Sequence, residues 1–228
     1  MSRYHADHRL TLILMILIVG LLNADQNIIN ATLGPIEKEF QVDDAAIGLM
    51  SGLFTLLGAV ISLIWGYWSD KSNRKNLFTI SVLIGQIPCL LTAFAANYQQ
   101  FFILRILTGI GVGASFPTIF SMLGDMYSEK ERAVAVTWMT TVMGIGQIAG
   151  ELLGGYLSPS FGWRLPFILV AVPNLLILVI FHLIVAEPKR GMREEAFEEL
   201  VDAGFVYPKT IKLRDYLNLI KVRTNIYL

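Results

Sequence analysis

The stretch Gly66-Tyr67-Trp68-Ser69-Asp70-Lys71-Ser72-Asn73-Arg74-Lys75 is a short charged segment between two long apolar runs. A shorter version of it, Gly155-Tyr156-Leu157-Ser158, begins 89 residues later and has Arg164 nine residues after its glycine. The two copies are three apolar runs apart, and moving a segment by an odd number of membrane spans inverts it. The sequence therefore predicts two inverted three-helix repeats. The alternative is that glycine and tyrosine recur by chance at the ends of spans.

Six apolar runs are long enough to cross a bilayer, which takes about 17 to 25 residues. They cover residues 10–33, 47–65, 77–95, 101–123, 133–157 and 165–186. The first run is too long for the core of a signal peptide and has no small-residue cleavage site, so we expect it to stay in the mature protein. The predicted fold class is an all-α membrane protein, a bundle of six transmembrane helices.

The composition argues against several classes of protein. Of the 228 residues, 54% are hydrophobic and 16% are charged, which is too apolar for a typical water-soluble enzyme. The 18 basic residues balance the 18 acidic ones, so nothing indicates a nucleic-acid partner. The single cysteine, Cys89, cannot form an intrachain disulfide or a Cys/His metal cluster. We expect no enzyme activity, no cofactor and no metal site.

The distribution of Lys and Arg predicts how the chain lies in the membrane. Fifteen of the 18 basic residues fall on the side that holds both chain ends, two fall on the other side, and Arg105 lies inside a span. Because cytoplasmic loops carry the excess of basic residues, we expect a multi-pass protein of the cell membrane with both termini in the cytoplasm. The predicted domains are a cytoplasmic N-terminus at 1–9, the bundle at 10–187 and a cytoplasmic helical linker at 188–228. A new apolar run starts at Ile226, so we expect the linker to lead to a second half.

The first charged segment resembles a motif of the major facilitator superfamily, G-x-x-x-D-x-x-G-R-[RK], which lies between spans 2 and 3 of that family. Only the second glycine of the motif differs, and Asn73 stands in its place. Asparagine tolerates a left-handed backbone better than most residues. Two further stretches agree with the resemblance. Arg105 and the glycines after it are similar to the family's R-x-x-x-G-x-G-x-G stretch in span 4, and residues 162–167 match the segment that enters span 6.

The glycines of span 5 resemble the antiporter-type motif of the same family, but Glu151 replaces its proline, so the resemblance does not imply antiport. Asn23 and Asp25, the segment 187–191 and the pair at 224–225 are similar to spinster-type transporters of lysolipids and sphingolipids. In those transporters an arginine usually follows the aspartate of span 1, whereas a glutamine follows it here. The resemblance implies the first half of a twelve-span secondary transporter whose central cavity is lined by spans 1 and 4.

Three charged residues fall within the spans, where an ionised group is costly and marks a pathway or a partner. At about 1.5 Å per residue, Asp25, Arg105 and Glu151 lie roughly 6 to 12 Å from the outer ends of their helices. Two carboxylic acids around one arginine can exchange a proton without leaving an unpaired charge, so this layer is a candidate proton-coupling site. The resemblance adds that acids in span 1 often couple protons to solute. The alternatives are an ion pair that only fixes helix packing and, for Glu151, contact with lipid headgroups or with the second half.

Four amides recur at helical spacing along span 1, at Asn23, Gln26, Asn27 and Asn30. They form one polar stripe, and Asp25 points away from it. A stripe that faces a cavity would bind polar groups of a solute. The alternative is hydrogen bonding between these amides and a neighbouring helix.

Charged loops close the cytoplasmic ends of spans 2 to 5 and form a candidate gate, because opposite charges pair with each other and with helix ends. Its members are Gly66, Asp70, Arg74, Lys75, Asp125, Glu129 and Arg132. The resemblance supports this role for Asp70 and Arg74, and the alternative is a solvated loop with weak surface pairs.

Small residues four positions apart let another helix approach closely. Helix packing is therefore expected at Gly109, Gly113, Gly146, Gly150 and Gly154.

These observations predict a secondary active transporter of a small or amphiphilic solute, coupled to protons and working by alternating access. Its expected partners are membrane lipid, the solute, and a second six-span half or a second copy of the chain. One alternative is a truncated half-transporter that is inactive or regulatory. Another is an intramembrane serine protease that pairs Ser115 of span 4 with His182 of span 6. Against it, no small-residue G-x-S-G stretch exposes Ser115, and nothing indicates an oxyanion hole.

Overall fold

The computed structural model describes residues 2–187, with side chains from His8 onward. This part of the chain forms six helices: α1 (Ser2–Phe40), α2 (Asp44–Ser69), α3 (Arg74–Thr92), α4 (Tyr98–Met126), α5 (Glu129–Phe161) and α6 (Arg164–Ile184). Each helix is long and apolar enough to cross a membrane. Each predicted run coincides with one helix, and the runs 77–95 and 165–186 extend three and two residues past the ends of α3 and α6. The predicted linker at 188–228 lies outside the described residues.

Polar side chains fix where several helices begin. The side chains of Asp43, Asn73 and Asn97 accept hydrogen bonds from backbone N–H groups in the first turns of α2, α3 and α4. Ser128 and Glu131 form a capping box at the start of α5. Asn73 has an extended backbone, with φ at −68° and ψ at 113°. The asparagine at the family's glycine position therefore caps α3 and makes no left-handed turn.

The order in which the helices pack follows the inverted repeat. Neighbouring helices succeed one another as α2, α4, α3, α6, α1, α5. Exchanging the two repeats swaps α1 with α4, α2 with α5 and α3 with α6, and this turns the order into its own reverse. The fold prediction, a six-helix bundle made of two inverted three-helix repeats, is confirmed. The two helices at the ends of the order, α2 and α5, are the least buried of those described.

Small residues make the closest helix contacts, and the two contacts α1–α5 and α2–α4 correspond to each other in the two repeats. Ala24 of α1 faces Gly150 of α5, where an added Cβ would lie 2.1 Å from the Ala24 carbonyl oxygen. Gly113 of α4 comes 89 residues after Ala24, and a Cβ added to Gly113 would lie 2.2 Å from the carbonyl oxygen of Gly58 in α2. At such distances only glycine fits. Comparable close approaches occur at Gly109, Gly146 and Gly154.

Candidate functional site

The centre of the candidate site is an ion pair between α1 and α4. Arg105 Nη1 donates a hydrogen bond to Asp25 Oδ1 at 2.9 Å, and neither side chain is exposed to solvent. The Arg105 guanidinium lies over the ring of Phe167 in α6, 4.8 Å from its centroid, which adds a cation–π attraction. Helices of both repeats thus meet at one buried pair of charges. Removing either partner would leave the other as an uncompensated buried charge.

Cys89 of α3 is the third member of this cluster. Its thiol donates to the same oxygen, Asp25 Oδ1, with the sulfur 2.9 Å away, and Cys89 is fully buried. The second carboxylate oxygen, Asp25 Oδ2, is buried and has no hydrogen-bond partner among the described residues. The sequence reasoning missed Cys89 as a site residue, because an apolar run gives no signal of which α3 residue lies against Asp25.

Glu151 is not part of the cluster, which corrects the expected layer of three charged residues. Its side chain is exposed. The reason is the period of the helix. α5 turns Gly150 against Ala24 of α1, and the next residue points about 100° away from that contact. The residue count along each span gave the depth of Glu151 but not the direction of its side chain.

The amide stripe lies on a different side of α1 from the ion pair and faces a small groove. Three of its amides are half-buried, and the outermost is exposed. The groove has a volume of about 160 Å³ and lies between α1 and α2. Its polar lining comprises Gln26, Asn27, Asn30, Ser51 and Thr55. The described hydrogen bonds of Asn23, Asn27 and Asn30 stay within α1, and none reaches a neighbouring helix. Asn23 does not line the groove.

At the end of the bundle predicted to be cytoplasmic, an ion pair joins the start of α3 to the end of α4. Arg74 and Asp125 form this inner pair. The carboxylate of Glu187, just beyond α6, accepts hydrogen bonds from the backbone N–H groups of Arg74 and Lys75, each at 2.8 Å. A carboxylate is stabilised there because the start of a helix carries partial positive charge. These contacts therefore join the start of α3 to the ends of α4 and α6. Sequence reasoning used Glu187 only for a family resemblance and not as a gate residue.

The other predicted gate residues lie around the inner pair. Arg132 of α5 donates to the carbonyl oxygen of Gly124 in α4 at 2.8 Å. Asp70 caps the end of α2, and its backbone N–H donates to the carbonyl oxygen of Gly66 at 3.3 Å. Glu129 is exposed in the first turn of α5. The structure thus gathers Arg74, Asp125 and Arg132 onto one helix junction and leaves Glu129 at its edge.

At the opposite end of the bundle, Arg164 forms an outer pair with Glu39, which sequence reasoning did not identify. Its two Nη atoms donate to the two carboxylate oxygens of Glu39 at 2.7 and 2.6 Å. Arg164 also donates to the Ala95 carbonyl oxygen at 3.0 Å, and Trp163 Nε1 donates to Glu39 at 2.7 Å. Like Arg74, Arg164 starts the third helix of its repeat and pairs with an acid near the end of the first helix of the other repeat. The inverted repeat therefore extends to these ion pairs.

Ser115 and His182 have separate partners. Ser115 Oγ lies within hydrogen-bond distance of Ser81 Oγ at 3.1 Å and of the Gly111 carbonyl oxygen at 2.9 Å. His182 Nδ1 lies 3.2 Å from Thr79 Oγ1. The protease alternative therefore loses its candidate serine–histidine pair within the described residues.

The family of this chain is identified by comparison with known protein families. The family model described as Major Facilitator Superfamily matches residues 15–225. The chain belongs to the Major Facilitator Superfamily. The resemblance seen in the sequence is confirmed, and the six apolar helices of this superfamily member make it a multi-pass membrane protein. Membership also supports the expectation that it is not an enzyme.

Two relatives of this superfamily member are bacterial transport proteins. A "Cis,cis-muconate transport protein" of Acinetobacter baylyi is 29% identical over 166 residues, which are 72% of this chain and 40% of that protein. A "Benzoate transport protein" of the same organism is 27% identical over 183 residues, 78% of this chain and 39% of that protein. The chain thus spans about two fifths of the length of these relatives.

Solved structures of the superfamily give the same result. A bacterial homolog of the human lysosomal transporter Spinster, inward-facing and occupied, matches with a TM-score of 0.75 and 27% identity over 81% of this chain and 46% of that chain. A proton:xylose symporter shares the fold, with a TM-score of 0.69 and 18% identity over 86% of this chain and 49% of that chain. The superfamily fold of the chain is therefore supported by both sequence and structure.

Proposed function

We propose that this chain is the amino-terminal half of a proton-coupled secondary transporter that works by alternating access in the cell membrane, with both termini in the cytoplasm. The buried Asp25–Arg105 pair carries the proposal. Charges within membrane-spanning helices are costly and mark functional sites. This pair joins the first helices of two inverted repeats, and transporters of such design bind solutes and coupling ions between their repeats. The names of the muconate and benzoate relatives agree with a transport function.

In this proposal the proton binds to Asp25 Oδ2. Oδ1 already accepts hydrogen bonds from Arg105 and Cys89, whereas Oδ2 is buried without a partner among the described residues. Protonation neutralises the carboxylate and leaves the charge of Arg105 uncompensated at low dielectric. The guanidinium then favours a conformation in which it reaches water or an anionic group of the solute. Proton uptake is thereby linked to the change of conformation.

The amide stripe of α1 is the proposed contact for the polar end of the solute. Each amide can both donate and accept hydrogen bonds, which suits a carboxylate, as in muconate and benzoate, and also the headgroup of a lysolipid. Ser51 and Thr55 of α2 supply hydroxyls on the opposite wall. We infer a small or amphiphilic solute whose apolar part lies along the remaining surface of α1 and α2.

A second half completes the proposed transporter. α2 and α5 are the least buried described helices, and the groove beside the stripe opens next to α2. A second six-span half, or a second copy of the chain, would cover this side and enclose the solute. The inner pair Arg74–Asp125 and the Glu187 cap hold the cytoplasmic end closed. Breaking these contacts opens that end in the transport cycle.

Uptake into proteoliposomes tests this function. The chain alone and the chain with a six-span second half are reconstituted, and accumulation of labelled benzoate, cis,cis-muconate and lysolipid is measured under an imposed pH gradient. We expect accumulation of one of these solutes with the second half present, and its loss when a protonophore collapses the gradient. Accumulation by the chain alone would indicate a homodimer. Uptake that ignores the protonophore would contradict proton coupling, and no uptake in any combination would favour the inactive-fragment alternative.

A further inference from the structure

A second groove, with a volume of about 540 Å³, lies between α3 and α6. In the packing order of the helices, α3 and α6 occupy the middle, whereas α2 and α5 occupy the two ends. A second half that covers the amide stripe beside α2 therefore leaves the α3/α6 groove facing the lipid. The volume falls within the range of about 300 to 1,000 Å³ that is usual for small-molecule sites.

The lining of the α3/α6 groove is apolar along its length and polar at one end. Aliphatic side chains such as Leu83 and Val179 form the walls. Asn76, Thr79 and His182 form the polar end, where α3 begins and α6 ends. Asn76 and His182 are exposed. This division matches a phospholipid, with the headgroup at the helix ends and an acyl chain along the walls.

The hydrogen bonds of Thr79 determine what kind of headgroup fits. The hydroxyl lies 2.9 Å from the Lys75 carbonyl oxygen and 3.2 Å from His182 Nδ1, and we assign its one proton to the shorter contact. With this assignment the hydroxyl accepts from His182 Nδ1, which then carries a hydrogen. In a neutral imidazole the other nitrogen, Nε2, is then an acceptor. The side-chain carbonyl of Asn76 is a second acceptor at the same end.

We propose that the α3/α6 groove binds a phospholipid whose headgroup ends in a primary ammonium, with the ammonium donating to His182 Nε2. A choline headgroup carries the same charge but has no N–H group to donate. The ammonium also donates to Asn76, and the acyl chain packs on the walls that include Leu83 and Val179. The groove is separate from the Asp25–Arg105 pair, so this binding does not depend on the proposed transport.

Lipid retention by the purified full chain tests the proposal. Native mass spectrometry at pH 8 compares phosphatidylethanolamine with phosphatidylcholine of identical acyl chains. We expect about tenfold stronger retention of the ethanolamine lipid, the effect of about 1.4 kcal/mol from one hydrogen bond to a charged group. His182→Leu should abolish the preference while both lipids still bind. His182→Gln, which keeps an acceptor, should retain part of it. Equal retention by the unaltered chain, or an undiminished preference in His182→Leu, would overturn the proposal.

A bulky substitution shows whether the lipid occupies this groove. Leu83→Trp fills the groove and should lower the retention of both lipids. Leu152→Trp is the matched control, because Leu152 is 52% exposed on α5, away from the groove. Thermal unfolding of each variant checks that it is folded. Equal retention by the two tryptophan variants would place the lipid elsewhere, and a groove covered by the second half or by residues 188–228 would retain neither lipid. Either result contradicts the proposal.

Discussion

Three described arginine–carboxylate pairs join the two repeats, and two of them, Asp25–Arg105 and Arg164–Glu39, differ chiefly in their surroundings. The Asp25–Arg105 pair is fully buried, whereas the side chains of Arg164 and Glu39 are 36% and 41% exposed. The exposed outer pair is the better bonded, because Glu39 accepts from Arg164 through both oxygens and also from Trp163. The buried pair leaves Asp25 Oδ2 without a partner among the described residues.

The number of hydrogen bonds in an ion pair does not determine how much stability the protein loses when the pair is broken. Water screens the outer pair, so its many contacts add little to stability. The buried pair has fewer contacts, but loss of one partner leaves the other as an unpaired buried charge, which is strongly destabilising. Changes to the two pairs should therefore have effects in the reverse order of their hydrogen-bond counts.

Breaking the buried pair should have the largest effect on stability. Arg105→Leu leaves the Asp25 carboxylate uncompensated and should lower the free energy of unfolding by about 3 to 5 kcal/mol. Unfolding in detergent micelles, followed by circular dichroism, measures the change. The double variant Asp25→Leu with Arg105→Leu removes both charges and should recover most of the loss. A double variant as unstable as Arg105→Leu would mean that burial of charge is not the cause.

Removing the thiol of Cys89 should have an intermediate effect. Cys89→Ala deletes one of the two hydrogen bonds to Asp25 Oδ1 and should cost about 1 kcal/mol of stability. Cys89→Ser keeps a donor at the same position and should cost less. The same unfolding measurement compares the two variants. Equal losses would show that the thiol contributes packing and no hydrogen bond.

Breaking the outer pair should have the smallest effect. Arg164→Ala should lower the free energy of unfolding by about 0.2 to 1 kcal/mol at low salt. The loss should shrink at high salt, because ions screen exposed charges. Glu39→Gln is the matched change on the other partner and should follow the same trend. A loss as large as that of Arg105→Leu, with no dependence on salt, would contradict the comparison.

Most of the fold could be predicted from the sequence because a membrane requires long apolar helices. The six runs and the repeat at Gly66 and Gly155 were sufficient for the bundle and its inverted symmetry. The helix ends at 92 and 184 were missed by a few residues, since apolar side chains continue past them. Asn73 was expected to replace a glycine in a left-handed turn, but its side chain caps α3 instead.

The site could be predicted only in part. Asp25 and Arg105 stood out because charged residues are rare in apolar spans. Cys89 and Glu39 gave no such signal, since their roles depend on which helices are neighbours. For Glu151 the signal was present, because glycines at 146, 150 and 154 mark the packed face of α5 and residue 151 lies off that face. Counting residues from the membrane surface predicts the depth of a side chain in the membrane. It does not predict the direction of the side chain, which depends on how the helix is rotated about its axis.

Proton movement tests the central claim that Asp25 couples protons to solute. The chain and a six-span second half are reconstituted into liposomes that contain a pH-sensitive dye, and solute addition is used to drive proton flux. The account predicts that Asp25→Asn still exchanges labelled solute across the membrane but moves no protons. Glu151→Gln, at an exposed carboxylate outside the buried cluster, should behave like the unaltered protein. Solute-driven proton flux at an undiminished rate in Asp25→Asn would contradict the account.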